Sequence, residues 1–191
     1  MSVTMRTERI GKAYIDSILV MRGDYPYLIN PICDGIPLLT KELMDEVVDN
    51  LTEMIDVDFD YVIAPEAMGI HIATAYMLRT GKPFMVIRKR EYGLPGEICI
   101  EKSTGYEKVV RTYINCVKKG DRIVIIDDII STAGTLIPIV KALKEIGADV
   151  RMVAVILNKS SDLKAIEDKL EVPVRRMLDV GVEDGRPVIK Q

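Results

Sequence analysis

The sequence predicts an α/β domain, a mainly parallel sheet flanked by helices, and three observations carry that expectation. Four short runs, "YVIA", "FMVI", "IVIID" and "VRMVAVIL", are almost wholly apolar, as strands covered on both faces are. Apolar residues recur at helical spacing in segments beside them. Glycine and proline mark the junctions.

Taken in order, Thr40 caps a predicted helix in which Leu43, Val47, Leu51 and Met54 face inward, with Asp45, Glu46 and Asp49 covering the other side. Residues 61–64 form a short buried strand, and after "PEAMG" comes a helix that Gly81 and Pro83 stop. Residues 84–87 are the next strand. From Tyr92 to about Arg111 the chain carries Gly93, Pro95, Gly96 and Gly105, broken only by a weak "EICI" strand, which suits a flexible lid. "IVIID" is the third strand, and its helix runs from about Gly134 to Gly147 with Leu136, Val140 and Leu143 inward. Residues 150–157 are the fourth strand.

With 191 residues and 48% of them hydrophobic, the chain can close one core, so residues 1–191 are expected to form a single domain. A formal net charge of -3 provides no global basic field and argues against a nucleic-acid partner. Cys33, Cys99 and Cys116 are far apart and His71 is the only histidine, which argues against zinc and for reduced, structural thiols. His71 lacks a partner motif and reads as packing, and the ten methionines read as core filler. No signal core and no run of membrane-spanning length is present, so a soluble cytoplasmic protein without a membrane partner is expected.

In parallel sheets ligands bind beyond the carboxyl ends of the strands. Three unusual loops lie there: "PEAMGI", "RKREYGLPGE" and "DDIISTAGT". In the third, "STAGT" has no bulky side chain, so backbone N–H groups can converge on an anion at the opening of a helix. The hydroxyls of Ser131, Thr132 and Thr135 stand beside them, and a phosphate monoester is the natural occupant. Asp127 and Asp128 would repel that phosphate unless a neutral polyol lay between, and ionised carboxylates accept strong hydrogen bonds from hydroxyls. A phosphorylated sugar satisfies both halves. An isolated acidic pair would merely end a strand; the complete string is far more specific, and it lacks the spacing of a P-loop or a dinucleotide fingerprint.

The string "VIIDDIISTAGT" closely resembles the phosphoribosyl pyrophosphate (PRPP) signature of type I phosphoribosyltransferases. The resemblance extends to "NPICDGIPLL", "PEAMGI", "RKREYGLPGE" and "STGYEK", which look like segments of archaeal hypoxanthine/guanine phosphoribosyltransferases, themselves similar to adenine phosphoribosyltransferases. It implies that fold, with a small hood from about residues 14–40 and 158–180 and a lid at about 92–111. It implies ribose contacts from Asp127 and Asp128, which would also hold Mg²⁺, directly or through water or PRPP. The 5′-phosphate would lie in a cradle of Ser131, Thr132, Ala133, Gly134 and Thr135, where Ala133 replaces a glycine often seen in relatives. Ala67, Met68 and Gly69 correspond to a pyrophosphate loop. Met68 stands where adenine enzymes usually carry arginine, which leaves Arg88, Lys89 and Arg90 as the available cations. Tyr106 and Lys108 match the lid tip, where Gly105 replaces a common glutamate. A purine base would sit under the hood, with Tyr25 or Tyr27 placed to stack on it. Hypoxanthine or guanine follows from the resemblance, with adenine close behind, and a homodimer by analogy. A PRPP-sensing regulator would need a DNA-binding domain for which the residues before Tyr25 are too few, and an aspartyl-phosphate enzyme lacks its surrounding pattern.

Overall fold

Thr7 precedes α1 (Glu8–Ile15), which leads into a hairpin of β1 (Ile18–Arg22) and β2 (Tyr25–Ile29), a single helical turn α2 (Pro31–Asp34), and α3 (Lys41–Met54). These and all later elements belong to a computed structural model that describes residues 6–23, 25–104 and 108–190. Next come β3 (Tyr61–Pro65), α4 (Gly69–Thr80), β4 (Phe84–Ile87) and a second hairpin, β5 (Ile98–Thr104) with β6 (Lys108–Ile114). The chain closes with β7 (Arg122–Ile130), α5 (Leu136–Ile146), β8 (Asp149–Asn158), α6 (Leu163–Leu170), β9 (Val174–Glu183) and β10 (Arg186–Ile189).

The main sheet has the order β10-β9-β8-β7-β3-β4 and is parallel except for β10. Alternation along its central strands builds two cores. Val124 and Ile126 of β7, with Met152 and Ala154 of β8, pack beneath α1, α3 and α4. Ile123 and Ile125, with Val153 and Val155, pack beneath α5 and α6. Having apolar residues on both faces is what made these strands read as continuous hydrophobic runs.

Several elements differ from the sequence reading. β7 does not stop at Asp127: it continues to Ile130, because Ile129 and Ile130 stay paired with Leu157 and Asn158 of β8. The acidic pair is therefore held in strand geometry. Glu46 does not cover an exposed face of α3; it is buried, and its Oε1 accepts the Ile10 N–H at 2.9 Å, which ties α1 down. The lid segment contains a paired antiparallel hairpin, not a lone strand. The C-terminal segment expected to form hood also supplies β9 to the main sheet. α1 escapes sequence detection because only Ile10, Gly11 and Tyr14 are buried in its two turns, and the bond that anchors it, Tyr14 Oη–H to the Gly181 carbonyl at 3.0 Å, spans most of the chain. Among the described residues no helix is long and apolar enough to cross a membrane.

Candidate active site

α4 and α5 both begin at strand ends without a side-chain cap, at Met68 and Thr135 respectively. By contrast α2, α3 and α6 are capped by the side chains of Asn30, Thr40 and Asp162. Helix N-termini leave N–H groups unpaired, so the starts of α4 and α5 offer donors and positive dipole ends to an anion. Both open on one cavity of about 320 Å³, lined by residues 65–68, Lys89 and residues 127–136. Ala67, Met68, Asp127, Asp128, Ser131, Thr132, Ala133, Gly134 and Thr135 thus come together.

Gly69 is not on the cavity surface but makes it possible. A Cβ there would lie 2.9 Å from the Ile126 carbonyl oxygen and 3.4 Å from Asp127 Oδ1, so only glycine lets α4 start so close to β7. In the other loop Ala133 has φ +55°, the left-handed region, and is buried. The Glu66–Ala67 peptide bond is cis.

Asp127 Oδ1 accepts the Asp128 backbone N–H at 3.0 Å, and the two carboxyl groups lie within hydrogen-bond reach of each other. Asp128 is 8% exposed, and its carboxylate hydrogen-bonds with the Cys33 thiol. Burial is the leading cause that pushes both carboxyls above the ordinary range, and for Asp127 the neighbouring Asp128 charge adds to it. Burial likewise raises the Cys33 thiol, which stays protonated and inert. Among the described residues no three His, Cys, Asp or Glu side chains form a metal-holding group.

The three cations part ways. Lys89 lines the cavity, and its backbone N–H donates to Glu66 Oε2 at 3.0 Å. Arg88 and Arg90 do not line it, contrary to expectation. Arg88 Nε sits 3.2 Å from Glu66 Oε2 as an ion pair, without the direction of a hydrogen bond. The Arg90 guanidinium lies over the Tyr92 ring, 5.6 Å from its centroid. Lys108 opens β6, its backbone paired with Thr104, and Gly105, Tyr106 and Glu107 lie outside the described residues.

A second cavity of about 160 Å³ adjoins the first and shares Met68, Asp128, Ile129 and Ser131 with it. Tyr14, Tyr27, Leu28, Asn30, Cys33 and Lys159 complete its wall. The Tyr27 hydroxyl donates to Asp34 Oδ1 at 2.9 Å, which orients the ring, and His71 Nε2 donates to the Ile32 carbonyl at 3.0 Å, pinning α2 to α4. His71 is thus a half-buried packing residue. Sequence reasoning missed Ile129, Cys33 and Lys159. Lys159 follows the fourth strand directly, and the strand-end rule applied to that loop would have found it.

These features agree with comparisons to known proteins. A family model for the phosphoribosyl transferase domain matches residues 38–180. The chain belongs to the phosphoribosyltransferase family. It is 43% identical over 183 residues to a hypoxanthine/guanine phosphoribosyltransferase of Methanobacterium paludis, covering 96% of each chain. The similarity to an HGPRTase-like protein 2 of Haloquadratum walsbyi is also 43%, covering 96% of this chain and 99% of that one. Among solved phosphoribosyltransferases, the adenine enzyme of Thermoanaerobacter pseudethanolicus superposes with a TM-score of 0.72 at 22% identity, covering 89% of this chain and 98% of that one. That of Saccharomyces cerevisiae, solved with an imino-altritol bisphosphate and adenine, gives 0.69 at 19% identity, covering 90% and 99%. At those identities the likeness establishes the type I phosphoribosyltransferase fold.

Proposed function

We propose that this protein is a purine-salvage phosphoribosyltransferase that transfers the ribose 5-phosphate group of PRPP to hypoxanthine or guanine, giving IMP or GMP and pyrophosphate. The observation that carries this reading is the pair of adjoining cavities with Asp128 in their common wall. One is framed by two uncapped helix starts and a lysine, suited to a sugar with a phosphate at each end. The other joins aromatic and aliphatic side chains to a single cation, suited to a flat base.

In this reading Asp127 and Asp128 accept hydrogen bonds from the ribose diol, and residues 131–135 hold the 5′-phosphate. The loop at Ala67 and Met68, with Lys89, receives the pyrophosphate. As the anomeric bond loosens, positive charge gathers on the sugar, and the two carboxylates stabilise it. The lid hairpin closes to exclude water, which would otherwise take the place of the base. Two adjacent carboxylates are hard oxygen donors that fit Mg²⁺ when PRPP and water complete its shell, and the ion would supply positive charge beside the departing pyrophosphate. Lys159 carries only donors, so it matches the 6-oxo acceptor of hypoxanthine and guanine and opposes the 6-amino group of adenine. The enzyme acts in the cytoplasm as a homodimer.

Pyrophosphate release measured with PRPP, Mg²⁺ and each of adenine, hypoxanthine, guanine and xanthine tests the proposal. Hypoxanthine and guanine should be turned over fastest. Faster turnover of adenine would overturn the base assignment, and tight PRPP binding without release for any base would make the protein a sensor.

A further inference from the structure

β8 is apolar from Met152 to Leu157, yet it ends in a buried asparagine, Asn158, only 4% exposed. An apolar residue would close that strand more cheaply, since every polar atom buried there needs a partner. Asn158 has partners on both sides. Its Nδ2 donates to Asp179 Oδ1 at 2.7 Å, and its Oδ1 accepts from Ser160 N at 3.0 Å and Ser160 Oγ at 2.6 Å. Asp179 lies opposite Asn158 in the β8–β9 ladder and is held in turn by Arg176, with Nη2 to Oδ2 at 2.9 Å. The residue enclosed by these bonds is Lys159. Its own backbone N–H donates to the Ile130 carbonyl at 2.8 Å, and Ile130 directly precedes the phosphate-loop residue Ser131.

We infer that Asn158 is a positioning residue for base selection: it turns the chain at 158–160 so that Lys159 enters the base cavity at a height fixed against the phosphate loop. The amide suits this task because one end donates and the other accepts. Asp179 offers only acceptors and Ser160 brings two donors, so neither a carboxylate nor an aliphatic side chain at 158 satisfies both neighbours. The inference rests on Lys159 reading the base, and it adds which residue sets that reading and through which contacts.

The test compares steady-state kinetics of the full chain and of Asn158→Ala, Asn158→Asp, Lys159→Ala and the exchanged pair Asn158→Asp/Asp179→Asn. In Asn158→Ala the KM for hypoxanthine and guanine should rise about tenfold, as a displaced contact group implies, while the KM for PRPP stays within about twofold. The preference for these bases over adenine should shrink in the same proportion. Asn158→Asp sets two carboxylates face to face and should show the same split. The exchanged pair restores one donor between two acceptors and should recover the base KM to within about threefold. A purely structural role would move both KM values together with the melting temperature, and that result overturns the inference, as does an exchanged pair no better than Asn158→Asp alone. If Asn158→Ala does not fold, the comparison of Asn158→Asp with the exchanged pair decides the matter. Retention of 6-oxo preference in Lys159→Ala would refute the base reading itself. Its loss there, with preference kept in Asn158→Ala, would refute only the role of Asn158.

Discussion

Asp127→Asn separates what the acidic pair does for the reaction from what it does to the fold. Asparagine is isosteric, and its Oδ1 can keep the 3.0 Å bond from the Asp128 N–H. The change falls on the other oxygen, which becomes an NH₂ donor where a ribose hydroxyl needs an acceptor. Losing one charge-assisted hydrogen bond costs about 1.5–3 kcal/mol, or roughly ten- to a hundredfold in turnover. Stability should move the opposite way. Burial and Asp128 raise the Asp127 carboxyl above its unfolded value, so between those two values the folded chain binds more protons than the unfolded one. Wild-type stability therefore falls as pH rises through that window, and the penalty is constant above it. Asp127 is only partly buried by surface area, so removing its charge stabilises by about 1 kcal/mol, and a chain of this size melts about 2–4 °C higher per kcal/mol. Melting curves of substrate-free protein across the acid range, beside pyrophosphate release at neutral pH, measure both effects. The variant should match wild type at the acid end, melt higher near neutrality and turn over slowly. A lower melting temperature near neutrality, or undiminished turnover, would refute the account of the pair.

Lys89→Ala should raise the KM for PRPP about tenfold, with weaker dependence on salt, whereas Arg90→Ala should change it little because that guanidinium faces Tyr92; kinetics at two ionic strengths check both. Gly69→Ala should destabilise by ~1–3 kcal/mol and weaken PRPP binding, since its methyl would meet the Ile126 carbonyl at 2.9 Å; thermal melts and PRPP titration would show it. In Ala133→Gly, relief of the left-handed backbone, roughly 1–2 kcal/mol, is offset by lost methyl burial of ~0.8 and added unfolded-state freedom of ~0.4–1. The melting temperature should stay within about 3 °C of the parent.

The β7 string announced itself because its chemistry is contiguous: acids, small residues and a helix start follow one another, so local pattern and site coincide. The buried strands were equally plain from their unbroken apolar runs. The first helix, α1, was not, since it is anchored through Glu46 and Gly181, contacts no local period encodes. The smaller cavity gathers Tyr27, Asp128 and Lys159 from three distant stretches, and only the topology brings them together. The triple "RKR" shows the converse difficulty. Lys89 lines the cavity, whereas Arg88 is taken up by Glu66 and Arg90 by the Tyr92 ring, and the three adjacent letters carry no sign of that division.

The common wall of the two cavities has an implication for how such a protein can diversify. The larger cavity, the sugar-phosphate chamber of the proposed reading, is written largely in two continuous segments, whereas the chamber beside it draws on both flanks of the chain. If the proposed reading holds, mutations in those flanks retune nucleobase choice while the costlier machinery stays intact. Met68, Asp128, Ile129 and Ser131, which border both, are where such drift would meet a constraint from each side at once.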